Sequence, residues 1–531
     1  MVMDSSSEKE DLVNHSLPSS TSDHHHHHNQ QEQQQQRSTS TLKWFITMIM
    51  SLIWQPFQWL SMLCRELNTS FVLGVLLVYG VSQGFAGSFF RVVTDFYWKD
   101  VQKLQPSAVQ MFMGFYYIPL IMKPIWGLLT DVFPISGYRR RPYFIIAGQP
   151  LISSSLSFGT SIIIATHEKL SIPAALVCLV GMVAAVAIAD VTIDACIARN
   201  SIEKPELAAD MQSLCGFVSS IGALVGYSTS GIFVHKLGPQ AALGLMAMPA
   251  LLLILLGFVI FELKARLHPS EKKNALDKAM VAVKGMGRTV RCAQVWKPSL
   301  YMFLSLALSF STHEGHFYWY TSAKGGPAFS QEFIGIIYAI GAIASIVGVV
   351  IYHKFLKEYP FRKLLFYVQI LYGISGMLDL AFVLRLNLRL HLADSLFIII
   401  EECFSRIIGR VRWMPMMVLS TRLCPLGIEG SFFALLMCID SVGSLLSKIV
   451  GALVLHALHV TRTDFDNLWL AVLIRNLLRF GILGLIFLIP DVNQNEVLIS
   501  EEVVKVHDVG DEEMESLQLV RMEGKEQVVE I

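Results

Sequence analysis

Apolar and polar positions alternate along this chain on the scale of a lipid bilayer. Twelve apolar stretches are long enough to cross a hydrocarbon core as helices, which takes roughly 20 residues each. They lie at about 70–92, 107–130, 142–166, 171–198, 208–236, 239–262, 298–320, 329–356, 362–386, 391–422, 428–458 and 467–490. A polar, basic spacer at 263–297 divides them six and six. The pattern predicts an all-α polytopic membrane protein with twelve transmembrane helices in two six-helix bundles, 67–262 and 298–490, the layout of a two-bundle secondary transporter. The ends differ. Residues 1–41 are rich in Ser, Gln and His, with His24 to His28 consecutive, and read as a disordered tail, as does the acidic segment 491–531. Residues 42–60 are apolar but interrupted by Gln55, Pro56 and Gln58 and carry Trp44, Trp54 and Trp59. Residues 42–66 are therefore expected to lie on the cytoplasmic leaflet as an interfacial helix rather than to form a thirteenth span.

Composition agrees with the pattern. The 531 residues are 53% hydrophobic and 16% charged, with mean hydropathy +0.51, too little charge to cover a soluble surface. Net charge is zero, but residues 1–41 balance at −4 and 491–531 at −9, so the region between carries +13. That excess sits in alternate connections: Arg139, Arg140 and Arg141; Arg199 and Lys204; the spacer; Lys354, Lys357, Arg362 and Lys363; and Arg422. The opposite set is sparser, so the bias of basic residues toward the inner face places both tails and the spacer in the cytoplasm. The excess needs no nucleic-acid partner, and the eight scattered cysteines show neither a disulfide framework nor a zinc spacing.

Ionisable residues inside spans are costly against lipid, so each marks a cavity, a partner or a site. Asp190 and Asp194, four apart on span four, share one helix face. They could take up a proton or accept from the amino edge of a ring, or pair with Lys123 or Arg199. Lys123 is the clearest lone cation, and its alternative is an ion pair with Asp131. Span ten stacks Glu402, Arg406 and Arg410 at intervals of four, a self-neutralising face from which Arg410 remains a candidate anion ligand. Span seven carries His313, Glu314 and His316, then Phe317 to Tyr320. His313 or Glu314 is a candidate protonatable group, and the aromatic run could stack on a ring or sit at the interface. One HxxH with no further histidine box points to no metal, and nothing in the pattern calls for a cofactor. Asp440 and Lys448 face a cavity or each other. Small residues along span five, including Gly222, Gly226 and Gly231, predict close helix packing, suited to a rocking interface. Together the charges weight the solute chemistry toward the first six spans.

Two cytoplasmic corners repeat. Arg199 and Glu206 flank Pro205 after span four, and Arg422 and Glu429 flank Pro425 after span ten. Both Arg–Glu pairs are seven apart and are candidate gates that break as the inner side opens. After span two, Gly127-Leu-Leu-Thr-Asp131 is followed by Gly137-Tyr-Arg-Arg-Arg141, which resembles the loop of the major facilitator superfamily with expanded spacing. Asp131, Arg139 and Arg140 then become latch residues. A more specific set is Trp98-Lys-Asp100 with Pro106, Lys123-Pro-Ile-Trp-Gly127, Ala189-Asp-Val-Thr-Ile-Asp-Ala195, Tyr359-Pro-Phe-Arg-Lys-Leu-Leu365, and Trp413-Met-Pro with Arg422 to Gly430 and Phe433 to Leu436. In order and on their spans, these resemble the folate–biopterin transporter family. The resemblance implies a major facilitator fold and a proton-coupled carrier of folates or pterins by alternating access. It also implies that the partners are a small solute, protons and the bilayer, and that the chain is not an enzyme. The charges of span ten and Arg91 in span one depart from that pattern. The rivals are the same fold with another small organic cargo, a membrane enzyme, which would need clustered histidine boxes, and a non-transporting sensor. A transit peptide should be poor in acids, so Asp4, Glu8, Glu10 and Asp11 favour the plasma membrane or an endomembrane over a plastid.

Overall fold

A computed structural model describes residues 57–132, 158–167, 170–203, 207–259, 290–423 and 429–494. The expected amino-terminal tail, most of the spacer and the residues after 494 lie outside the described residues. Two compact units divide the chain between Thr69 and Ser70. Of the first, residues 57–66 form a helix that leaves Phe57 exposed. Everything that follows concerns the second unit.

Among the described residues there are helices and no strands, and eight helices are long and apolar enough to cross a membrane. They are Thr69–Val101, Ile172–Asp194, Leu214–Leu237, Pro239–Val259, Gln331–Leu356, Phe361–Val383, Phe433–Ala457 and Leu468–Leu488. The distribution of side chains is inverted relative to a water-soluble protein. Val177, Met248, Leu255, Phe258, Ile343, Tyr367, Leu477 and Phe487 are exposed, while Asp95, Gln110, Glu314, Gln369, Asn387 and Asn476 are buried. Lipid is the solvent that makes such an arrangement stable. The chain is an integral, multi-pass membrane protein.

Several predicted spans are interrupted. The second is split into Pro106–Phe115, Ile118–Ile121 and Lys123–Val132. Pro119 and Pro124 each lack an amide hydrogen and open a new helical segment, which is why the breaks fall where they do. The first helix runs past its predicted end at 92 to Val101, with π-helical turns at Leu76–Ala86 and Tyr97–Val101. Trp98 is therefore buried inside a helix rather than exposed in a connection. Its apolar partners are protein, which hydropathy alone does not register. The predicted seventh span is two helices, Ala293–Ala307 and His313–Tyr320. Between them Ser311 N–H donates to Ser447 O at 3.1 Å, and Ser447 Oγ donates to Ser309 O at 3.2 Å. Non-helical backbone at this depth persists where protein replaces its lost bonds or a cavity is lined.

The halves meet closely along helix Ala208–Leu237. A Cβ at Gly222 would collide with Gly80 O, and one at Gly231 with Gln331 O in the other half. The small-residue stripe thus packs as expected against the first helix and, beyond it, against Gln331–Ile351. At and just beyond the carboxyl end of the first helix the halves are bonded. Tyr318 Oη donates to Leu104 O at 3.0 Å, Arg462 N–H donates to Gln105 Oε1 at 3.0 Å, and Phe96 and Phe317 pack edge to face at 4.9 Å.

Candidate functional site

Among the described residues, three charged clusters stand out within the helices. The first is built by the π-helical turn of the first helix, the start of Lys123–Val132 and the helix Ile172–Glu203. Lys123 Nζ donates to Asp190 Oδ2, Gln83 Nε2 to Asp190 Oδ1, and Tyr79 Oη to Asp194 Oδ1. Tyr79 and Gln83 are four apart, as are the aspartates, so two helix faces meet rung to rung. Both oxygens of Asp190 are occupied. Of the two readings of Lys123 and Asp190, the structure brings about the ion pair. The side chain of Asp131, the alternative partner, lies outside the described residues.

The second cluster joins the halves. His313 Nε2 lies 3.0 Å from Asp95 Oδ2, and Glu314 N–H donates to Gln110 Oε1 at 3.1 Å. Asp95 and Glu314 are fully buried, and both Glu314 carboxylate oxygens and Asp95 Oδ1 have no hydrogen-bond partner among the described residues. One ligand atom each from Asp95, His313 and Glu314 lies within 4.8 Å of the others. The two histidines of the HxxH do not converge: His316 Nδ1 donates to Thr312 O at 2.8 Å, and Nε2 lies 3.0 Å from Asp379 Oδ1. The aromatic run after them mostly packs, since Phe317, Tyr318 and Trp319 are buried, with Trp319 5.2 Å from Phe382.

The third cluster lines a cavity of about 530 Å³. Its wall combines Arg91 of the first half with Asp379, Glu401, Glu402, Arg406, Arg410, Arg475 and Arg479 of the second, together with Tyr320, Tyr338, Tyr372 and Trp413. Arg406 Nε bonds Glu402 Oε1 at 2.6 Å, the self-neutralising pair expected from spacing. Arg475 pairs with Asp379 and donates to Thr312 Oγ1 at 2.6 Å. The broken helix brings Ser309, Ser311 and Thr312 to the same wall. A second, more apolar cavity of about 540 Å³ shares Arg91, Ser309, Ser311 and Tyr372 and adds Arg412 and Lys448. Lys448 thus faces a cavity, whereas Asp440 Oδ1 is buried without a hydrogen-bond partner among the described residues.

Neither cavity counts Lys123, Asp190 or Asp194 in its lining, while Arg410 and His313 line the first. The charged wall comes mainly from the second half, the reverse of the weighting toward the first six spans. That weighting rests on Lys123 as a lone cation and on the Asp190/Asp194 face, and leaves out Asp379, Arg475 and Arg479. Arg475 and Arg479 are four apart in the last span, a spacing as visible as that of Asp190 and Asp194, and the rule that intramembrane charges mark sites would have found them. Of the gate candidates, Arg139, Arg140 and Glu206 lie outside the described residues. So do the side chains of Arg199, Arg422 and Glu429, whose backbones lie in the last turns of Ile172–Glu203, at the end of Asp394–Arg422 and at the start of Glu429–Ala457.

Long apolar helices around internal cavities, one charged and one more apolar, define a polytopic membrane protein with room for a small solute. The xylose transporter from E. coli in an inward-open conformation superposes with a TM-score of 0.55 at 16% identity, covering 83% of this chain and 99% of that one. A POT family transporter in complex with 5-aminolevulinic acid gives 0.58 at 13% identity, covering 78% and 94%. At those identities the likeness is one of fold. The chain belongs to the BT1 family, which it matches over residues 83–507. It is 60% identical over 457 residues to the probable folate-biopterin transporter 6 of Arabidopsis thaliana, covering 86% of this chain and 90% of that relative. It is 31% identical over 408 residues to the folate-biopterin transporter of Synechocystis sp., covering 76% and 79%. The protein is a transporter rather than an enzyme.

Proposed function

We propose that this chain carries folates or pterins across a membrane by alternating access, through twelve spans in two six-helix bundles with both tails and the spacer in the cytoplasm. The observation that carries the reading is the cavity of about 530 Å³ walled by tyrosine and tryptophan rings and guanidinium groups of the second half, with Arg91 joining them from the first. Its volume falls in the range of small-molecule sites, and flat rings stack on flat rings. The names of its relatives suggest the solute class. Alternating access would break the contacts Tyr318–Leu104 and Arg462–Gln105 and re-form contacts at the inner end, where the Arg199–Glu206 and Arg422–Glu429 corners and the Asp131–Arg139–Arg140 loop are the candidate gates.

Proton coupling belongs to the same proposal. Asp95 on one half and His313 and Glu314 on the other are buried carboxylate and imidazole groups whose neighbourhood changes when the halves part. Arg91, Lys448, Tyr338, Arg406 and His316 face them from the packed elements. Asp190 and Asp194 remain proton candidates of the first half.

The test is competition uptake into proteoliposomes with folate, a reduced folate, biopterin and unrelated organic anions. Folate or pterin competing selectively is the expected result. Competition by unrelated anions, with none by folate or pterin, would show another cargo.

A further inference from the structure

The charges of the cavity do not cancel. Five arginines face three carboxylates in its lining, a surplus of two positive charges with the histidines neutral. Arg406 is held by Glu402 and Arg475 by Asp379. Glu401 faces Arg475 and Arg406, which are already paired. Arg91 stands four residues before Asp95 on the same helix, one turn away. Arg410 and Arg479 are different. Among the described residues neither has an ion pair, and the Nε of each is buried without a hydrogen-bond partner. Each guanidinium lies over an aromatic ring instead, Arg410 4.9 Å from the Trp413 centroid and Arg479 4.1 Å from that of Tyr372. A stacked guanidinium keeps its edge donors pointing outward, a geometry that suits a carboxylate. Both side chains are half-buried and line the cavity, so donors held this way can receive an anion entering it.

We propose that Arg410 and Arg479 bind the carboxylates of an anionic tail, so that the protein selects a planar ring system bearing two carboxylates over the same ring without them. Resting on the folate–pterin reading, this makes folate, with its dicarboxylate tail, the preferred solute and neutral biopterin a poor one. Lys123 cannot replace these residues in that role, because Asp190 holds it.

Two measurements on the full chain test this. In proteoliposomes, labelled folate should enter at least roughly tenfold faster than biopterin at equal concentration, the scale of one charge-assisted hydrogen bond. Arg410→Gln and Arg479→Gln should each lower the folate-to-biopterin ratio by roughly tenfold, and the Lys variants, which keep the charge, should lower it less. In detergent, folate should raise the melting temperature of the native protein while biopterin at the same concentration raises it little, a readout independent of whether any variant folds. Equal entry or equal melting shifts for the two solutes overturn the charge requirement and leave the folate–pterin reading intact. So does an unchanged ratio in folded Gln variants. Neither solute entering nor shifting the melting temperature overturns the reading beneath it, and the inference with it.

Discussion

Asp190 shows how a residue visible in the sequence can carry two meanings until its neighbours are known. Its place at the polar face of a span marked it as important, and the structure surrounds it with Lys123 and Gln83. Removing one partner of a buried pair leaves the other charge uncompensated, at a cost of about 3–5 kcal/mol. Asp190→Asn should therefore lower the melting temperature in detergent markedly. The double change Lys123→Met with Asp190→Leu should recover most of that loss, because apolar replacement of both partners is often neutral. Recovery of uptake along with stability would assign the pair to helix packing. A stable but inactive double variant would assign it to transport. Arg410 was legible as a candidate because it ends a row of charges at intervals of four. The isolation of Arg479 was not, because it depends on which carboxylates reach which guanidiniums after the last span folds against Phe361–Val383.

At the scale of elements, hydropathy located the long apolar helices and missed the places where they break. Ala293–Ala307 and His313–Tyr320 are apolar enough together to read as one span, and the break between them carries no proline or glycine. It exists because Ser447 on another helix exchanges bonds with Ser309 and Ser311, a tertiary fact with no local signature. The proline-made breaks near Pro119 and Pro124, by contrast, could have been read from the sequence. The glycine stripe is legible, and Gly231 within it and Gly216 earlier in the same helix, Ala208–Leu237, make opposite predictions. Gly231→Val should slow uptake and destabilise the protein by about 1–3 kcal/mol, since its Cβ meets the Gln331 carbonyl across the interface. Gly216→Ala should be tolerated or stabilising by about 0.5–1 kcal/mol, because the added methyl meets open space in a helix. Thermal melting in detergent and initial uptake rates check both. Equal effects at the two positions would contradict the close-approach argument.

For the whole molecule, the pattern of apolar stretches makes the membrane class legible. Residues 491–494, which the sequence reading assigns to the acidic tail, are bonded to the described helices. Asp491 lies 3.7 Å from Arg362, Phe361 N–H donates to Val492 O at 3.1 Å, and Gln494 Nε2 donates to Tyr359 O at 2.8 Å. Deleting residues 495–531 should leave most uptake in place, whereas deletion from 491 should also reduce stability; a sensor whose tails signal predicts no uptake to preserve. The contact between Gln105 and Arg462 offers a test of the moving halves. A cysteine pair at those positions, in a chain stripped of native cysteines, should form a cross-link that stops uptake and release it on reduction. Uptake indifferent to the cross-link would argue against opening at that end. The account as a whole rests on a solute carried through the shared cavity. Counterflow measures that most directly: vesicles containing the purified protein are loaded with unlabelled folate and diluted into a trace of labelled folate. Transient, saturable accumulation of label above that in protein-free vesicles is predicted. No accumulation with folate, a reduced folate or biopterin, from protein that is folded and inserted, would contradict it.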